Sequence, residues 1–207
     1  MTISYAITVC NELEEITRLL NFLQTNIRKE DEIVIQYDEV SVTDEVMEYL
    51  NLMNSMHENH KVIGFPLNKD FSSFKNNLKS NCTKDYIFQI DADEIPNENM
   101  INYLPEVLDN NPVDIVFVPR VNTVEGLTDS HIQKWGWKVN EKGWVNWPDY
   151  QTRIYKNTEE VTWMNKVHER ITGYDTFSNF PMEEEWCLYH PKQIERQEKQ
   201  NEFYETI

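Results

Sequence analysis

The sequence predicts an α/β fold with a mostly parallel central sheet flanked by helices. Two observations carry that expectation. Between Ile3 and Val118, short apolar strand patterns alternate with stretches of helical spacing, and a pair of carboxylates sits where one buried strand stops.

The elements follow in order. Ile3 to Cys10 is an apolar run rich in β-branched residues, and Asn11-Glu12 opens a segment whose Leu13, Ile16, Leu19, Leu20 and Leu23 recur at helical spacing. Glu32 to Tyr37 reads as a second strand ending at Asp38-Glu39. Thr43-Asp44-Glu45 then starts a helix carrying Val46, Met47, Leu50 and Met53. Lys61 to Phe65 is a third strand and Ser72 to Asn81 a helix. Tyr86 to Ile90 is a buried strand that halts at Asp91-Ala92-Asp93-Glu94, with Pro96 expected to turn the chain away. A helix around Asn99 to Leu108 and a strand from Asp114 to Val118 complete the alternation. Sheets of this kind bind ligands beyond the carboxyl ends of their strands. From Asn122 to Asn165 the rhythm breaks into a Trp-dense segment in which Gln151 to Tyr155 is the clearest strand, and Gln193 to Tyr204 reads as a charged helix.

Composition narrows the function classes. With 207 residues, 40% of them hydrophobic and 12% aromatic, the chain can fill one core, and global disorder is excluded. A formal net charge of -17 argues against non-specific adhesion to nucleic acid or anionic lipid, since like charges repel over a Debye length. An acidic chain that handles an anionic ligand needs local compensation, and a divalent cation supplies it. Cys10, Cys82 and Cys187 are odd in number and lack metal-ligand spacing, so a reducing cytoplasm is expected. No basic leader precedes the first strand, and no apolar run approaches the roughly 20 residues of a transmembrane segment.

Asp91 and Asp93 put two hard oxygen ligands near one point, which suits Mg2+ or Mn2+ bridging a diphosphate. The competing reading is a solvated turn whose carboxylates cap a helix, and the position after a buried strand favours the metal.

Other stretches align around that motif. Ala6-Ile7-Thr8-Val9-Cys10-Asn11-Glu12 ends the first strand, and Tyr37-Asp38-Glu39-Val40-Ser41-Val42-Thr43-Asp44 follows the second. Asp70-Phe71-Ser72-Ser73-Phe74-Lys75-Asn76 precedes the aspartates, while Arg153-Ile154-Tyr155-Lys156, Val167-His168-Glu169 and His190 come after them. In this order they resemble the family 2 glycosyltransferases of GT-A fold, in particular the small lipopolysaccharide-core-type branch, over most of residues 1 to 190. Tyr37 stands where that family has an aspartate and Val40 where it has glycine, so base recognition could differ.

The resemblance implies a metal-dependent transfer of a sugar from a nucleotide-diphosphate donor, a UDP- or GDP-sugar, to a hydroxyl of a glycan or other acceptor, with inversion. Residues 1–207 would form one domain, with 1–120 binding the nucleotide sugar and 121–207 supplying the acceptor half and the C-terminal helix. Asp38 would accept a hydrogen bond from the base, Thr8, Asn11 and Glu12 would line the nucleoside pocket, and Lys75 with Asn76 would approach the ribose or diphosphate. Asp93 would coordinate the metal, with Asp91 touching the ribose or the metal through water. His190 and His168 are candidate nitrogen ligands, though a lone histidine is more often structural. Glu169 is the candidate general base, with Asp149 a weaker one. Trp135, Trp137, Trp144, Trp147 and Trp163 form either a stacking platform for an acceptor sugar or a packed flap. A nucleotidyltransferase would add a basic Gly-rich loop after its first strand, and none follows Cys10. A non-catalytic carbohydrate- or nucleotide-binding protein of the same fold is the other alternative.

Overall fold

A computed structural model describes residues 1–204 of the chain. Strands β1 (Ile3–Val9), β2 (Glu32–Asp38), β3 (His60–Phe65) and β4 (Tyr86–Asp91) alternate with helices α1 (Leu13–Asn26), α2 (Asp44–Met56) and α3 (Phe71–Ser80). Then come β5 (Ile95–Pro96), α4 (Glu98–Asn110), β6 (Ile115–Glu125), α5 (Asp129–Trp135) and β7 (Val145–Lys156). The chain closes with β8 (Thr162–Met164), β9 (Arg170–Thr172), β10 (Phe177–Asn179), β11 (Leu188–Gln193) and α6 (Ile194–Tyr204).

The main sheet runs β3-β2-β1-β4-β7-β6-β11-β5, with β10 also paired to β6. The four N-terminal strands are mutually parallel. β7 enters antiparallel between β4 and β6, while β11 lies parallel to β6. The sheet is therefore mixed, and its parallel half carries the expected alternation. β8 and β9 form a separate hairpin.

Alternation along the strands buries both faces. Tyr5, Ile7, Ile33, Ile35, Tyr86, Phe88 and Ile90 face one core, where they meet the apolar stripes of α1, α2 and α4. Ala6, Val34 and Ile87 point the other way, onto Leu78 of α3 and onto Val161, Trp163 and Ile171 around the small hairpin. Each apolar stripe is thus set by the period of its own element.

Three regions differ from the sequence reading. Ile95–Pro96 does not simply turn away but pairs with β11 as the last strand of the sheet, an edge position where the missing N–H of proline costs no ladder bond. β6 and β7 run on to Glu125 and back to Val145, well beyond their apolar stretches. Residue 120, the division between the expected halves, lies inside β6. Among the described residues no helix is long and apolar enough to cross a membrane.

Leu20 of α1 is fully buried, whereas Tyr103 of α4 is half exposed. Leu20→Ala should lower the unfolding free energy by about 2–5 kcal/mol in urea titration, and Tyr103→Ala should change it by no more than about 0.5 kcal/mol.

Candidate functional site

The chain order places a switch point between β1 and β4, because successive strands first build outward through β2 and β3 and then return to the other side of β1. Thr8 and Asp91 are direct register partners there. The Thr8 hydroxyl donates to Asp91 Oδ1 at 2.9 Å, and Arg153 Nη2 lies 2.5 Å from Asp91 Oδ2. Burial alone would raise the Asp91 carboxyl, but the Arg153 and Lys75 charges and the Thr8 bond outweigh it and hold it far below the usual carboxylate range.

Glu94, fully buried, organises the floor. Its Oε1 accepts from Arg153 Nη2 at 2.6 Å and Arg120 Nη1 at 3.0 Å, and its Oε2 accepts from the Asp91 backbone N–H at 3.1 Å. Arg153 sits where the β6–β7 register slips by one residue, a bulge that re-aims its side chain toward β4. Arg120 faces Asp149 across the same strand pair and donates to Asp149 Oδ2 through both Nε and Nη2, at 2.9 and 2.7 Å. Asp149 also accepts from Asn122 and from Gln151. Burial opposes its ionisation, yet the Arg120 charge and these bonds keep its carboxyl below the ordinary value.

A second chain of bonds leads from Asp149 to Asp93. Asn122 Nδ2 donates to Asp149 Oδ2 at 2.8 Å, which turns its Oδ1 toward His190 Nδ1, 2.7 Å away. The ring therefore uses its Nδ1 proton on Asn122, and Nε2 faces Asp93 Oδ2 at 3.4 Å. Burial would raise the Asp93 carboxyl, but the bond and charge of His190 and the charge of Lys192 bring it down to about 2. Arg196 of α6 closes this side. Its guanidinium reaches Glu12 and Glu15 at 2.7 Å each and Asp93 at 3.6 Å.

The expected site residues divide accordingly. Thr8 and Asp91, near the ends of β1 and β4, bond each other, Asp93 just beyond β4 faces His190 of β11, and Asp149 of β7 is joined to His190 through Asn122 of β6. Lys75, buried in α3, forms an ion pair with Glu169 beside them and lies 4.4 Å over the Trp163 ring. Asp38 uses Oδ1 to tie the backbone of Val40 and Leu67 together at the end of β2. Glu12 turns into its own loop, where Oε2 accepts from the backbone of Cys10 and Asn11, and the Asn11 side chain is exposed.

Two further expected residues have other surroundings. Asn76 is committed to a clamp on β8: its Oδ1 accepts from Thr162 Oγ1 and Trp163 N–H, and its Nδ2 donates to the Trp163 carbonyl. These bonds hold the amide oxygen against β8 and leave one Nδ2 hydrogen uncommitted among them. His168 is exposed between β8 and β9 at φ 54°, and its neighbour Glu169 is the residue that pairs with Lys75.

Sequence reading missed Arg120, Asn122, Lys192 and Arg196. The first two flank buried Val121 on β6, past the apolar run. Arg196 carries no local signal, because its partners Glu12 and Glu15 lie at the other end of the chain.

The donor set suits a hard divalent cation held jointly with phosphate. Asp93 is ionised, and His190 Nε2 lies 3.4 Å from its Oδ2, so an oxygen and a nitrogen donor stand side by side. Among the described residues no three His, Cys, Asp or Glu side chains are grouped to hold a metal alone. Mg2+ and Mn2+ in such sites take one or two protein ligands and complete their shell with water and substrate phosphate.

Comparison with known proteins places this geometry. No curated protein sequence matches the chain. The crystal structure of S. aureus TarS 1-349 superposes with a TM-score of 0.64 at 16% identity, covering 92% of this chain and 60% of that one. The same protein in complex with UDP-GlcNAc gives 0.67 at 16% identity, covering 93% and 59%. The full TarS structure gives 0.63 at 15% identity, covering 92% and 37%. The chain thus spans about 60% of the TarS 1-349 chain or less of each, and at this identity the likeness is one of fold. The profile of glycosyl transferase family 2 matches residues 4–185, and the chain belongs to that family.

Proposed function

We propose that the chain transfers a sugar from a nucleoside diphosphate, uridine or guanosine, to a hydroxyl of a glycan or other acceptor, with inversion and with Mg2+ or Mn2+. The observation that carries this reading is the ionised Asp93 carboxylate 3.4 Å from His190 Nε2, next to Asp91 and Thr8 at the switch point of the sheet. A protein of the same fold bound to UDP-GlcNAc supports a nucleotide-sugar donor.

In this proposal the donor lies across the carboxyl ends of β1 and β4. Asp93 and His190 would hold the cation, whose charge would offset that of the diphosphate. Asp91, fixed by Thr8 and Arg153, accepts from the ribose with its remaining lone pairs, and Asp38 accepts from the base. Lys75 pairs with Glu169 and orients it, and Glu169 takes the proton of the acceptor hydroxyl as that oxygen attacks the anomeric carbon from the face opposite the departing diphosphate. Asp149 accepts four hydrogen bonds from three side chains, and a carboxylate so saturated is a poor base, so it serves as framework. Cys10, Cys82 and Cys187 are free thiols, which accords with a reducing compartment such as the cytoplasm.

Two outcomes test the roles. With Mn2+ and its nucleoside diphosphate the wild type should melt at a higher temperature than with EDTA, and Asp93→Ala should abolish that rise. Glu169→Gln should bind the donor within about threefold of wild type while its kcat falls by about 10²- to 10⁴-fold, and a near-normal kcat would remove Glu169 from the mechanism.

A further inference from the structure

Beyond Asp149, β7 runs back into an open cleft of about 740 Å³ that the donor chemistry leaves unused. Trp144 and Trp147 meet there edge to face, with ring centroids 4.8 Å apart at 63°. Met182, 61% exposed, adds apolar surface, and Glu183, Glu184 and Glu185 form an exposed acidic rim. Lys142 bridges the two sides, 4.4 Å over the Trp144 ring and 3.1 Å from Glu184.

The cleft is joined to the proposed reaction centre through covalent and hydrogen bonds. Asp93, His190, Asn122 and Asp149 form one polar chain, and Trp147 stands two residues before Asp149, so their Cα atoms are at most about 7 Å apart. A volume of this size suits a small-molecule ligand. Angled indole faces bury the C–H faces of pyranose rings, and carboxylates accept from sugar hydroxyls. The same carboxylates repel phosphate or uronate groups at close range.

We infer that this cleft is an acceptor subsite for an uncharged glycan chain, with a pyranose stacked on Trp144 and Trp147 and its hydroxyls donating to the acidic rim. The inference rests on the transferase reading for its role, but the binding itself is independent of the donor.

Isothermal titration of the chain with neutral gluco-, N-acetylgluco- and mannotetraose, and with galacturonate tetraose as the anionic probe, tests it. At least one neutral tetraose should bind, Trp147→Ala and Trp144→Ala should each weaken it about tenfold or more, and donor binding should stay within twofold in both variants. The anionic probe should bind only after Glu183→Lys with Glu185→Lys, two exposed changes that leave the fold intact. Absence of binding by every neutral tetraose, binding that survives both tryptophan substitutions, or equal binding of the anionic probe to wild type would each overturn the subsite. Donor binding with no glycan binding defeats the subsite alone, whereas glycan binding with no cation-dependent donor binding leaves the cleft and defeats the transferase reading.

Discussion

A single buried carboxylate, that of Glu94, holds the candidate site together. It is fully buried and bonds two arginines, Arg120 from β6 and Arg153 from β7, as well as the backbone of Asp91 at the end of β4. Moving such charges out of water costs several kcal/mol per ion, and a well-packed apolar core would hold three strands together as well or better. What the ionic cluster adds is orientation. Arg153 fixes Asp91, Arg120 fixes Asp149, and Asp149 through Asn122 fixes the ring of His190 that faces Asp93. On this side Asp91 is bonded to Glu94 directly and through Arg153, and His190 is reached from Glu94 through Arg120, Asp149 and Asn122 in turn.

The chain's large negative charge makes this arrangement more demanding. A diphosphate approaching a protein of net charge -17 needs positive charge concentrated where it lands. The fold gathers Arg153, Arg120, Lys192 and Arg196 around Asp91 and Asp93, drawing them from β7, β6, β11 and α6. Burial pulls the Lys192 ammonium below its ordinary range, with the Asp93 charge opposing that pull. The basic residues come from the second half of the chain and the aspartates from the first, so neither half alone makes the pocket.

That division explains what the sequence could disclose. The parallel half was legible because each strand is a run of apolar residues buried on both faces and each helix repeats its apolar positions at helical spacing. Asp91 and Asp93 were legible because a buried strand ended on them. β6 and β7 were read too short because their outer ends carry Arg120, Asn122 and Asp149, polar residues that line a site and so break the hydrophobic signal. Asn76 and His168 illustrate a different limit. Their neighbours Lys75 and Glu169 meet each other across the site, and adjacency in sequence says nothing about which of two consecutive side chains points inward. Arg196 meets Glu12 and Glu15 from the far end of the chain, a contact that no local pattern encodes.

The account stands or falls on a cation-linked nucleotide site at Asp93 and His190. Calorimetric titration of the chain with uridine and guanosine diphosphates and their sugars, each in Mn2+ and in EDTA, measures that linkage directly. The account predicts that one base is bound in Mn2+ and that its affinity falls at least about tenfold in EDTA. Equal affinity in the two conditions, or no binding of either base, would contradict it.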